Sequence, residues 1–316
     1  MKKKTKFILS MLVIVSVGIC NAQEKVQNIR EIGNCKTGVA YDVYADGNYA
    51  YATTNHGVAI IDIQDKTHPK IIGKVKTKEP TFGVLARAQK LYTVTLDGRF
   101  VIANIQNPRK PVITSSTKNP GEADEIAIDE PYAYITLDNG KLVIFNIDDS
   151  TKPEHLGTYD HEGSLKGISA RNGILYIAAR GKGILIIDAT NPSNPKSESI
   201  IPVEGSARSV DIYKDLLIAG SHTGPVTIYD LSNPLSPIKL HRINDGGEAY
   251  GVSAKNDILV IADLQRGVLV YELNNPENPK LLSKIACPAH SVHYDGDYIY
   301  VSAETGFHIF KLQDKK

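Results

Sequence analysis

Seven positions along the chain hold side chains of the kinds that bind ligands and move protons, and they recur at an almost constant interval. Tyr41, Phe82, Asp124, Lys166, Arg208, Tyr250 and His290 follow one another in steps of 40 to 42 residues. Two places after each stands Val43, Val84, Ile126, Ile168, Val210, Val252 or Val292, without exception β-branched. A position that repeats in type packs a repeated fold. One that repeats in place but changes in type is released from packing and free to do chemistry.

Further polar residues fall near the same register. His56, Arg180 and His222 sit in turns, with Arg99, Asp138, Lys182, Arg266 and Glu304 at comparable places. Glu79, Glu122, His161, Glu162, Glu204, Asp245 and Glu248 stand in the segments before the next copy begins. Mixed charge, imidazoles and aromatic rings on one concave surface suit a polar, extended ligand such as an oligosaccharide, a glycan or a peptide. A partner protein docking elsewhere, with the chain as scaffold, is the other non-enzymatic reading.

Three catalytic or metal alternatives use the same inventory. The histidines with Tyr41, Tyr250, Arg180 and Arg208 contain what a polysaccharide lyase needs: a cation to neutralise a uronic-acid carboxylate and a base for the adjacent proton. Glu122, Asp124, Glu162, Glu204 and Glu248 could include the carboxyl pair of a glycoside hydrolase. His56, His161, His222 and His290 could ligate a metal, but none has a local ligand spacing, and no metal is expected. No nucleophile elbow, Cys-x-x-Cys or phosphate loop occurs, so no residue is assigned a catalytic role and no cofactor is expected.

The elements that position these residues are read from a proline ladder. Pro69, Pro111, Pro153, Pro195, Pro237 and Pro279 lie 42 residues apart. Seven residues before each stands Asp62, Asn104, Asn146, Asp188, Asp230 or Glu272, closing an apolar run such as VAIIDI or ILIIDA. Asp and Asn accept backbone N–H groups in turns, and proline stops the strand, so the pair reads as a capped turn rather than a cation ligand. Within a unit, VAYDVYA, the turn at Asp46-Gly47, YAYATT, the apolar VAIIDI and the more polar KIIGKVKT make a four-stranded antiparallel meander.

Meanders repeated at this length are the blades of a β-propeller. First strands starting near Val39, Gly83, Glu125, Gly167, Ser209, Gly251 and Ser291 count seven blades. The seventh stops after its third strand, HIFKLQDKK, whereas the segment VQNIREIGNCKT near the amino terminus looks like a fourth strand. An all-β, seven-bladed propeller over residues 23–316 is therefore expected, with its last blade closed by that amino-terminal strand. Closure also shields the most exposed sheet edge.

LIIDATNPSNP, VTIYDLSNPLSP and VLVYELNNPENP resemble the LVIVD repeat, a family of secreted or surface-associated β-propellers of bacteria and archaea. The resemblance, which covers residues 26–316, implies the fold and a place outside the cytoplasm. It implies no common reaction and no fixed site residues.

Residues 1–22 read as a leader: a basic start, an apolar stretch too short to span comfortably, and small residues ending at Ala22. Cleavage there would leave the chain periplasmic, secreted or at the cell surface. Lipidation at Cys20 is the second choice, since Ile19 stands where a small residue is expected. Loss of Lys2, Lys3, Lys4 and Lys6 leaves 32 basic residues against 35 acidic ones, a net charge of −3. Such a balance, with no basic tract, offers nucleic acid no counterion-release gain. No transmembrane segment follows the leader, and a monomer is expected. Cys35 and Cys287 remain, and whether they pair is left open by their spacing.

Overall fold

In the computed structural model the described residues, 29–244 and 246–312, form 28 strands in seven four-stranded sheets, with no helix among them. Each sheet is one blade, and all its pairings are antiparallel. Blade 1 comprises Ala40–Asp46, Tyr49–Thr54, Gly57–Asp62 and Lys70–Lys76, ordered from the axis outward. Blades 2 to 6 repeat this order, their inner strands being Thr81–Arg87, Ala123–Asp129, Leu165–Arg171, Ala207–Tyr213 and Ala249–Lys255.

Blade 7 contains Ala289–Tyr294, Tyr298–Ala303 and Gly306–Leu312, and Ile29–Cys35 supplies its outer strand. Ile29 pairs with Leu312 and Cys35 with Phe307, so the two ends of the described chain close one sheet. The expected closure is what the structure shows. His308 adds to it, since its ring lies 3.0 Å from Glu31 on the closing strand. The expected leader, with Ala22 and Cys20, lies outside the described residues, as do residues 26–28 of the closing segment and Asp245.

The core runs between blades. Second and third strands such as Ile174–Ala179 and Gly183–Asp188 are buried almost throughout, because neighbouring sheets cover both their faces. Outer strands are largely exposed. The turn after each third strand is capped as expected. The N–H two residues on donates to Asp62, Asn104, Asn146, Asp188 and Asp230 at 2.7–3.0 Å. Glu272, one methylene longer, instead accepts from the Asn274 amide.

Each inner strand is an edge of its sheet, and its channel-side backbone groups need partners. Side chains from the preceding blade provide them. The Val84 N–H donates to Asp42 at 2.9 Å, the Ala254 N–H to Asp211 at 2.7 Å and the Tyr294 N–H to the Ser253 hydroxyl at 3.1 Å. The Ser169 hydroxyl donates to the Val210 carbonyl at 3.0 Å. These bonds knit the blades around the axis where no β-ladder can.

Cys35 and Cys287 carry thiols and are not joined. Cys35 packs in the cluster between blades 7 and 1, Cys287 in the one between blades 6 and 7.

Candidate functional site

The inner strands surround a cavity of about 550 Å³ lined from all seven blades. The varying residues stand at its mouth, although the sequence reading of their position needs correction. First-strand starts near Gly83, Glu125, Gly167, Ser209, Gly251 and Ser291 would put most of them just before the inner strands, whereas they are the second residue of each, after a buried Ala40, Thr81, Ala123, Leu165, Ala207, Ala249 or Ala289. In every blade the pairing to the second strand slips at this point, as between Ala40 and Val43 or Ala207 and Ser209. A bulge re-aims a side chain and frees it from the ladder. Repeat spacing could not show this, because two residues opposing one leaves no mark on composition.

Backbone bonds such as Asp138 N–H to Glu122 O at 2.8 Å and His222 N–H to Ser206 O at 2.8 Å hold the turns after the second strands beside the segments leading into the inner ones. Both therefore share the face that carries the mouth.

Five rings form a continuous arc along one side. Phe82 lies 5.3 Å from Tyr41, Tyr41 5.9 Å from His290, His290 6.3 Å from Tyr250, and Tyr250 5.1 Å from His222, centroid to centroid. The Tyr41 hydroxyl donates to Asn55 at 2.8 Å. Burial raises the pKa of both tyrosines, so their phenols stay protonated. Burial lowers that of His290 against the pull of Glu304, leaving a neutral imidazole at pH 7. Its Nε2 lies 3.5 Å from Glu304, too far to bond well, and has no hydrogen-bond partner among the described residues.

The opposite side is charged and already paired. Arg208 reaches across two blades to Asp124 at 2.5 Å and lies over the Tyr250 ring at 5.5 Å. Burial opposes its charge, and Asp124 more than restores it. Lys166 bridges Asp124 at 3.4 Å and Asp138 at 2.5 Å. His222 also approaches Glu248 at 3.4 Å. His56 and Arg180 stand exposed on the rim and make no ring or ion-pair contact with the seven, although the Arg180 charge reaches Tyr250 and Asp138.

Sequence reasoning missed the layer below. The residues after the seven are Asp42, Gly83, Glu125, Gly167, Ser209, Gly251 and Ser291. Ser291 donates to Asp42 at 2.6 Å. Glu125 bends over blade 2, where a Cβ on Gly83 would lie 2.2 Å from its Oε1. Burial holds the Glu125 carboxyl well above the usual carboxylate range, and the Asp42 charge pushes it further. The repeat did carry a signal, since two carboxylates stand where other blades have Gly or Ser. No cluster of three or more His, Cys, Asp or Glu among the described residues is placed to hold a metal.

Residues 37–77, 120–161 and 162–200 each match the LVIVD repeat. The chain carries LVIVD repeats in these three segments. No curated protein matches it. The LVIVD-repeat propeller is similar in fold to the structure of U3-55K, with a TM-score of 0.73 at 12% identity over 90% of this chain and 98% of that one. It is similar to a chain of the mitotic checkpoint complex, with 0.72 at 11% over 92% of each. Sqt1 of Saccharomyces cerevisiae gives 0.65 at 12% over 90% and 88%. Identities this low show the fold alone.

Proposed function

We propose that this propeller is a binding module whose channel mouth takes a polar, extended ligand, an oligosaccharide or a peptide, without chemistry of its own. The arc of Phe82, Tyr41, His290, Tyr250 and His222 carries this reading. Half-buried rings beside a cavity offer stacking faces and unspent polar edges together.

The lyase alternative is less well supported by the geometry: of its two cations, Arg208 is engaged by Asp124, and Arg180 stands exposed on the rim without contact to the rings of the arc. For the hydrolase, Asp124 is held by Arg208 and Lys166, Glu204 by Arg242 and Glu248 by Gln265, while Glu122 and Glu162 stand exposed. The leader expected from the sequence supports a ligand met outside the cytoplasm.

The test is an array of glycans, uronic-acid polysaccharides and peptides, scored for retention and for absorbance from an unsaturated product. Retention that falls roughly tenfold in Tyr250→Ala, with no product, is expected. Product formation would establish the lyase instead. Retention indifferent to Tyr41→Ala and Tyr250→Ala would move the site off this face.

A further inference from the structure

The two sides of the mouth present the same chemistry in unequal completeness. On one, the chain shows how it holds a cation. The Arg208 guanidinium lies over the face of Tyr250 and against the carboxylate of Asp124. On the other, Tyr41 precedes Asp42 on its inner strand and Phe82 precedes Gly83, over which Glu125 bends, with His290 beside Tyr41, and all of them line the cavity. Rings beside carboxyls are again the arrangement, yet among the described residues Arg208 reaches Asp42 and Glu125 only as a charge at a distance, its direct ion pair being with Asp124.

The charge of the cavity points the same way. Its lining holds four carboxyls, Asp42, Asp124, Glu125 and Asp211, and the cations that meet them directly, Arg208 and Lys166, both pair with Asp124. An anionic ligand would meet that excess, and a neutral one would leave it uncompensated. A compact cation entering beside Tyr41 would be attracted to the π faces and would supply a direct counter-charge for the carboxyls beside them. Burial and the neighbouring Asp42 charge raise the Glu125 pKa, and the Arg208 charge opposes them only in part.

We propose that the mouth recognises a ligand through an ammonium group, which seats among Tyr41, Phe82 and His290 beside Asp42 and Glu125 as Arg208 seats against Tyr250 and Asp124. This rests on the mouth being a ligand site at all and adds the chemical class of the group it takes. A lysine side chain, an amino terminus, an amino sugar and a quaternary ammonium all carry it, and the cavity of about 550 Å³ accommodates any of these groups.

Isothermal titration of the full chain with tetramethylammonium chloride and with Nα-acetyl-lysine methylamide tests it. The uncharged controls are 3,3-dimethylbutanol and Nα-acetyl-norleucine methylamide. The ammonium probes are expected to bind at least roughly tenfold more tightly than their neutral isosteres, a comparison that needs no variant. Glu125→Gln and Tyr41→Leu, each shown folded by circular dichroism, should weaken the ammonium probes by a similar factor. Equal affinity for charged and neutral probes would overturn the proposal, as would ammonium binding untouched in both variants. If ammonium probes are inert while array ligands still bind in a Tyr250-dependent way, this inference falls and the binding module stands. If nothing binds, both fall.

Discussion

Asp211 illustrates how an inner-strand carboxylate both knits the ring and burdens it. It accepts the Ala254 N–H of the next blade at 2.7 Å and the Ile212 N–H at 2.9 Å. Burial nevertheless raises its pKa from 3.8 to about 6, those hydrogen bonds only partly opposing the shift. The folded state then binds the proton more tightly than the unfolded chain. Its contribution to stability is present below pH 4 and is lost as pH rises through 6. A shift of this size corresponds to about 3 kcal/mol, trimmed to roughly 2 kcal/mol because the cavity opens to solvent. Blade 6 shows the remedy. Ser253 occupies the equivalent place and accepts the corresponding N–H, that of Tyr294, at 3.1 Å. Asp211→Ser should therefore keep the bond between blades, discard the charge and forgo the bond from Ile212, which is worth about 1 kcal/mol. The variant is expected to be about 1 kcal/mol less stable than the parent at pH 4 and about 1 kcal/mol more stable at pH 7.5. In thermal melts that is a reversal from roughly 3 °C below to 3 °C above, crossing between the two. Asp42 and Glu125 titrate in both proteins and cancel in the difference. A difference independent of pH would refute the assignment of the buried charge to Asp211.

Other expectations follow from the same geometry. Gly98 stands in the turn just before the third strand of blade 2, Arg99–Asn104, at φ +84°, and a Cβ there would lie 1.8 Å from the Gly121 carbonyl oxygen, so Gly98→Ala should lose at least about 2 kcal/mol by denaturant titration. An unchanged midpoint would contradict the backbone path drawn for that turn. Burial pushes the Cys35 thiol up to about 11, so iodoacetamide should modify it roughly a hundredfold more slowly at pH 8 than a small-molecule thiol. A rate equal to that of glutathione would show the thiol to be exposed. Removing residues up to Cys35 uncovers the edge of Gly306–Leu312 and should yield oligomers in size-exclusion chromatography. A stable monomer with an unchanged melting temperature would deny the strand its closing role.

Most of the fold was legible because its signals are local and repeated. A proline every 42 residues, an Asp or Asn seven residues before it and an apolar run before that specify a turn and a buried strand in one blade, and the repetition multiplies the statement. Even the closing strand Ile29–Cys35 could be read, since its sequence looks like an outer strand with no blade of its own. The site was legible in outline only. Tyr41, Phe82, Tyr250 and His290 were found by their variation, but the bulge that turns them to the mouth was not. Asp42 and Glu125 were passed over as strand residues, because what makes them notable is the lack of a direct ion pair, and ion-pair partners come from other blades.

The sequence alone determined the number of blades, the strand order within each and the way the ring is closed, since these depend on turns and apolar runs that act over a few residues. Only the tertiary structure decided which charges meet. Arg208 and Asp124 are 84 positions apart and touch because closing the ring brings alternate blades to one axis. The same closure leaves Asp42 and Glu125 facing the cavity without a direct ion pair among the described residues, because the path across the mouth is set by the whole ring and by no segment of it.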